Sequence, residues 1–127
     1  MNLENIIKNA SGILKNHNIH SHDLDAEVIL SNIMGVKREY LITTNKMMVS
    51  ETIARKYDIA IERRIKREPV AYIIGKKEFW SKDFIVNRAT LIPRPETEIL
   101  VYKVIKYFKN KKINILDIGT GTGCILL

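Results

Sequence analysis

The apolar run Ile113-Asn114-Ile115-Leu116-Asp117-Ile118 leads directly into Gly119-Thr120-Gly121-Thr122-Gly123. A short run of this kind suits a strand buried on both faces of a parallel sheet. Three alternate glycines let the backbone turn with positive φ and let a flat ligand meet the main chain without an intervening Cβ. Ligands of such sheets sit beyond the carboxyl ends of the strands. The pattern therefore predicts the first strand and ligand loop of a Rossmann-like α/β domain, with Cys124 filling a small space at the start of the next helix.

Three kinds of ligand loop share this grammar, and spacing separates them. A nucleotide-triphosphate loop needs a Lys followed by Ser or Thr after the glycines, where this chain has Cys124-Ile125. A dinucleotide loop prefers G-x-G-x-x-G and leaves its amides to a pyrophosphate, but here the spacing is G-x-G-x-G and Asp117 places a negative charge beside the loop. S-adenosyl-L-methionine carries a sulfonium and an ammonium, which an acid at that position attracts. Asp117, Gly119, Thr120, Gly121, Thr122 and Gly123 are thus the candidate cofactor-binding residues. A structural role for Asp117, accepting loop amide bonds, is compatible with that reading.

The chain before this point divides in two. Leu3, Ile6, Ile7, Ala10, Ile13 and Leu14 fall on one helical face, and Asn16, His17 and Asn18 end that helix. Ser21 or Asp23 caps a second, with Leu24, Val28, Ile29, Ile33 and Met34 as its expected inward face and Gly35 at its end. Residues 38–42 are ambiguous. Ser50 opens a longer helix on which Ile53, Tyr57, Ile61 and Ile65 repeat, and Pro69 stops it. Residues 1–68 thus read as a helical bundle, 69–89 as a linker carrying a β-hairpin, and 90–127 as the start of the α/β domain, an α+β chain in sum. In the hairpin, Glu78-Phe79-Trp80 and Phe84-Ile85-Val86 flank Ser81-Lys82-Asp83, with Trp80 as its core anchor. Thr90-Leu91-Ile92 is extended, and Pro95 is placed for the first position of a helix through Ile99, Leu100, Val104, Ile105 and Phe108 to the basic turn Lys109–Lys112.

The net charge of +7 invites a nucleic-acid reading. The compact basic group is Arg63, Arg64, Lys66 and Arg67, and no aromatic residues interleave it as a stacking platform requires. A solvated face complementing a helix C-terminus is the preferred reading, so direct nucleic-acid binding is disfavoured but left open. His17, His20 and His22 are expected in a solvent-exposed loop rather than around a metal, because no acid or Cys stands at ligand spacing beside them. One cysteine allows no intrachain disulfide. No apolar run nears the ~20 residues that cross a bilayer, and the N-terminus lacks signal-peptide layout, so no membrane association and a cytoplasmic location are expected.

A second dense segment is Leu91-Ile92-Pro93-Arg94-Pro95-Glu96-Thr97-Glu98, where two prolines fix the backbone about one arginine. Together with Glu78-Phe79-Trp80, Phe84-Ile85-Val86 and Asp117–Gly123, it resembles the HemK/PrmC family of protein-(glutamine-N5) methyltransferases over nearly the whole chain. The Pro-Arg-Pro-Glu-Thr-Glu block carries the specificity, since many methyltransferases share the glycine loop. The resemblance implies methyl transfer from S-adenosyl-L-methionine to the glutamine of the Gly-Gly-Gln motif of class I peptide chain release factors. It also implies that Pro93, Arg94 and Thr97 form a lip between cofactor and substrate, and that the helical domain docks the release factor. The family's Asn-Pro-Pro-Tyr motif, which holds the amide, and its ribose-binding acid are not in this sequence. No catalytic residue is therefore assigned, and the 127 residues are expected to be an inactive N-terminal fragment. Alternatives are a methyltransferase of nucleic acid or ribosomal protein, one with a further RNA methyltransferase domain beyond Leu127, or a non-catalytic binding module.

Overall fold

The computed structural model describes residues 2–44 and 46–126, and the chain divides into two compact units, Met1–Ile74 and Gly75–Leu127. The first unit is wholly helical: α1 (Leu3–Asn16), α2 (His22–Met34), α3 (Arg38–Thr43), α4 (Glu51–Ile65) and α5 (Val70–Ile74). The ambiguous stretch after Gly35 is the short helix α3. Asn2 caps α1 by accepting from the Asn5 amide at 2.9 Å. Ser50 caps α4 through Ile53 at 3.4 Å, whereas the expected cap of α2 is not made: Ser21 precedes that helix without a side-chain cap bond, its hydroxyl donating to Asp25 instead.

The helix ends are set by left-handed residues. After α1, Asn18 has φ +55°, and the amide of buried Ile19 reaches back to the Leu14 carbonyl at 3.1 Å. This closes the helix with one apolar residue folded over another. Gly35 ends α2 in the same way at φ +67°. Helix α4 stops at Ile65, four residues before Pro69, because Arg67 turns left-handed at φ +66° and the Glu68 amide bonds the Arg63 carbonyl at 3.2 Å. Pro69 therefore does not stop α4; its carbonyl instead accepts from Tyr72 and Ile73 and starts α5.

The core of this unit gathers Leu3, Ile6, Ala10 and Leu14 of α1, Ala26, Ile29 and Leu30 of α2, Leu41 of α3, and Tyr57, Ala60 and Ile61 of α4. Burial pushes the Tyr57 phenol above its ordinary pKa, and the buried hydroxyl donates to the Ala26 carbonyl at 2.9 Å. The inward face of α2 differs from the expected one. Leu24 is 48 % exposed, and Asp25, Ala26, Ile29, Leu30 and Ser31 turn inward. Helix α2 packs on α1, α3, α4 and α5, so its buried side follows its neighbours rather than its own hydrophobic stripe.

Asp25 can turn inward because Arg64 of α4 meets it, with Nε 2.7 Å from Oδ2, and Ser21 Oγ donates to the same oxygen at 2.8 Å. Arg64 also donates to the Glu68 carbonyl at 3.2 Å. Arg63 holds the buried Glu68 carboxylate with two bonds of 2.7 and 2.9 Å, and that bond raises the Arg63 pKa. Arg67 donates to the His17 and Asn18 carbonyls at 2.8 and 3.1 Å. Arg64 is thus an internal fastener, while half-buried Arg63 and exposed Arg67 fasten their partners from the surface, so the expected solvated face holds for Arg67 and Lys66 and is corrected for Arg64.

The second unit holds a two-stranded antiparallel hairpin, β1 (Lys76–Phe79) and β2 (Lys82–Ile85), and the helix α6 (Thr97–Phe108). The pairing of Lys77 with Phe84 and of Phe79 with Lys82 puts Phe79 and Phe84 on one face, where their rings meet edge to face at 6.2 Å. The hairpin turn is two residues, Trp80-Ser81, not three. Both adopt positive φ, +50° and +58°, the primed geometry that matches strand twist. Trp80 lies 41 % exposed at this turn and is not the hairpin's anchor; Phe79, Phe84 and Val86 are buried instead. Pro95 precedes α6 by two residues, in a tight turn where Thr97, Glu98 and Ile99 bond carbonyls three residues back.

Residues 113–118 take no strand pairing among the described residues, and Leu116 and Ile118 are 84 % and 88 % exposed. A strand exists only through the neighbours that share its amides, and none lies beside it here. Residues 124–126 form a turn rather than the expected helix.

Three outcomes follow from this packing and turn geometry. Arg64→Ala should lower the stability of the helical unit by about 3 kcal/mol or more in urea unfolding, because it strands Asp25 in the interior. Arg55→Ala, which removes only the exposed pair with Glu51, should cost under about 0.5 kcal/mol. The double substitution Trp80→Asn, Ser81→Gly should slow amide exchange in β1 and β2, reflecting relief of about 1 kcal/mol of left-handed strain.

Candidate functional site

The loop that carries the predicted cofactor residues has the backbone its glycines permit. Gly119, Gly121 and Gly123 have φ of +80°, +56° and +77°. A Cβ at Gly119 or Gly123 would meet nothing within 4 Å, and one at Gly121 only the Gly119 carbonyl at 3.9 Å. The glycines are therefore demanded by conformation, and the space beside them is open. The Gly123 amide closes a turn on the Thr120 carbonyl at 2.9 Å, and Leu126 follows on Gly123 at 3.1 Å.

Asp117 is half-buried at the entrance to this loop. Its Oδ2 is buried and has no hydrogen-bond partner among the described residues. A carboxylate oxygen in that condition costs free energy until a donor or cation meets it. That is a site suited to a cationic or hydrogen-bond-donating ligand, and it does not suit a pyrophosphate. The structural role, accepting loop amides, is not filled at this oxygen.

Pro93 is buried, Arg94 is exposed and Thr97 is half-buried at the start of α6. Among the described residues no hydrogen bond joins this corner to residues 117–123. What the sequence did not reveal is the clamp on the corner's far side: Glu98 accepts from the Trp80 amide at 2.8 Å, tying the start of α6 to the hairpin turn. Glu98 was legible only as a helix-start acid, and its partner lies 18 residues away.

The helical unit carries a groove of about 550 Å³ lined by residues that include Ser11, Gly12, Lys15, His22, Asp23 and Leu41. Ser11 Oγ donates to Asp23 Oδ1 at 2.5 Å and lies 2.9 Å from His22 Nδ1. With its one proton committed to Asp23, Ser11 can only accept from His22, so Nδ1 carries the hydrogen. His22 Nδ1 also lies 3.1 Å from Asp23 Oδ1, so Ser11 and Asp23 meet the same ring nitrogen, an arrangement that positions side chains and does not activate Ser11 as a nucleophile. His22 is thus half-buried and paired rather than solvated, whereas His17 and His20 are exposed. Among the described residues no group of His, Cys, Asp or Glu could hold a metal ion. Among the described residues no helix is long and apolar enough to cross a membrane.

Along the chain, a helical unit is followed by a hairpin, a Pro-Arg-Pro corner and a glycine loop led by Asp117. The profile of the PrmC N-terminal domain matches residues 5–75, and the chain belongs to that family. It is 41 % identical over 128 residues to the release factor glutamine methyltransferase of Buchnera aphidicola subsp. Baizongia pistaciae (strain Bp), covering 100 % of this chain and 46 % of the relative. The release factor glutamine methyltransferase of Aliivibrio fischeri (strain ATCC 700601 / ES114) is 38 % identical over 127 residues, 100 % of this chain and 45 % of the relative. A bifunctional methyltransferase of Rickettsia prowazekii (strain Madrid E) is 35 % identical over 144 residues, 98 % of this chain and 28 % of the relative. The chain spans less than half the length of these curated relatives.

The Ser11 bond holds the Asp23 carboxyl below its ordinary pKa, outweighing the opposing effect of burial. A depressed carboxyl stabilises the fold above its unfolded pKa, and that contribution disappears as pH falls through the folded value. NMR titration of the Asp23 carboxyl carbon should therefore give a midpoint below the usual carboxylate range, returning toward it in Ser11→Ala.

Proposed function

We propose that this chain is the donor-binding and substrate-docking half of a protein-(glutamine-N5) methyltransferase that acts on the Gly-Gly-Gln glutamine of class I release factors in the cytoplasm. The observation that carries the reading is the unpartnered Asp117 oxygen immediately ahead of three positive-φ glycines, in a chain that aligns end to end with a release factor glutamine methyltransferase. In this reading residues 1–68 dock the release factor, 69–89 link, and 90–127 begin a Rossmann-like domain. Residues 113–118 become its first strand once neighbouring strands share their amides. The exposed stripe of Ile105 and Phe108 on α6 is then a face for that sheet.

S-adenosyl-L-methionine supplies an electrophilic methyl on a sulfonium. Asp117 binds the donor's positive charge, and Gly119–Gly123 admit its flat nucleoside against the main chain. Pro93, Arg94 and Thr97 form the lip that the substrate glutamine crosses. An amide nitrogen is a weak nucleophile because its lone pair is delocalised, so the rate depends on holding it in line with the methyl carbon. The holding groups belong to the remainder of the protein. A second reading adds a further methyltransferase domain beyond this one, favoured by the 28 % share of the Rickettsia protein that this chain covers.

Calorimetric titration of the intact protein should give heat with S-adenosyl-L-methionine and none with NAD or ATP. Asp117→Asn should weaken that binding by about 10- to 100-fold, the range of a hydrogen bond to a charged group. Mass spectrometry of a release factor incubated with protein and donor should find one methyl on the Gly-Gly-Gln glutamine. Heat with NAD instead of the methyl donor, or methylation confined to nucleic acid, would sink the proposal.

A further inference from the structure

The chain's positive charge is unevenly placed. Residues 75–127 hold ten lysines and arginines against five acids, so five of the seven net charges lie there. Lys103, Lys106, Lys109, Lys111 and Lys112 fall within ten residues, and no acid occurs between Glu98 and Asp117. Unlike Arg63 and Arg64 in the last turn of α4, none of these lysines is in a salt bridge among the described residues.

Helix α6 sorts this segment into two faces. Val101, Val104, Ile105 and Phe108 recur at three- and four-residue spacing and form the apolar stripe, with Val101 and Val104 half-buried. Tyr102 and Lys106 stand four apart, as do Lys103 and Tyr107, so each pair is adjacent, and the two pairs lie side by side away from the stripe with Tyr102 and Tyr107 at opposite edges and the lysines between them. Ile99 lies one turn earlier on that side. Tyr102 and Tyr107 are 55 % and 66 % exposed. Lysines at a helix C-terminus complement its dipole, but that effect asks for no aromatic residue beside them.

We infer that the Tyr102, Lys103, Lys106 and Tyr107 face of α6, extended by Lys109, Lys111 and Lys112, binds single-stranded RNA. Two phenol rings on a solvated face, each flanked by ammonium groups, give bases a surface to stack on and phosphates a countercharge. A bilayer would take the apolar stripe instead, which lies on the other side of the helix and is partly covered by its own chain. The inference stands apart from the methyl-transfer reading, because no residue of this face belongs to the glycine loop or the Pro-Arg-Pro corner.

The test is fluorescence anisotropy of the intact protein with a labelled, unstructured uridine oligonucleotide, titrated at several salt concentrations. Binding should weaken steeply with salt. Tyr102→Ala with Tyr107→Ala should weaken it at least tenfold and leave the salt slope unchanged. Tyr102→Phe with Tyr107→Phe should keep it, and this pair together with the lysine pair still reads out if the alanine pair unfolds. Lys103→Gln with Lys106→Gln should lower the slope by about 1.4, from roughly 0.7 per phosphate contact on a single strand. Three results overturn the inference: no binding at low salt, heparin competition with no effect of the tyrosines, or preference for phosphatidylserine vesicles over RNA.

Discussion

The Arg64–Asp25 ion pair organises the helical unit. Two charges taken from water are favourable only when each finds its full complement of partners. Here the carboxylate takes Arg64 and Ser21, while the guanidinium also reaches the Glu68 carbonyl. The pair fixes the rotation of α2 about its own axis, sending Asp25 inward and Leu24 out. It also places the end of α4 against the start of α2. Arg63 then secures Glu68, and Arg67 secures the α1–α2 turn. One helix end thereby fastens elements from residues 17 to 72.

The two units bury apolar surface differently. The helical unit closes a core from four of its helices, so its stability is internal. In the second unit the hairpin buries Phe79, Phe84 and Val86, yet Ile105, Phe108, Ile115, Leu116 and Ile118 remain exposed. Surface of that kind calls for cover, and the relatives, more than twice this chain's length, have the polypeptide to provide it. Asp117 shows the same condition at the level of one atom: its Oδ2 is buried with no hydrogen-bond partner among the described residues.

Local chemistry was readable wherever cause and effect lie within a few residues. The Ser50 cap, the Asn18 and Gly35 terminations and the positive φ of the loop glycines are of this kind. Arg64 was misread because its acid partner is Asp25, 39 residues earlier in the chain. Trp80 was misread because aromatic content marks a strand, whereas register decides which residue falls in the turn. His22 left the exposed loop because α1 brings Ser11 to it, a contact across 11 residues.

Periodicity, caps and turn residues by themselves determined four of the helices and the hairpin, whereas the change of architecture expected near residue 69 falls after Ile74, because α5 continues the helical unit. Those helices and that hairpin depend on interactions within one turn of helix or one tight bend. Tertiary structure alone decided which side of α2 faces inward, that Arg64 is an internal partner of Asp25, that Glu98 clamps the hairpin turn, and that residues 113–118 take no strand pairing among the described residues. Those outcomes rest on partners distant in sequence, and a strand's existence, unlike a helix's, depends entirely on the neighbour that accepts its hydrogen bonds.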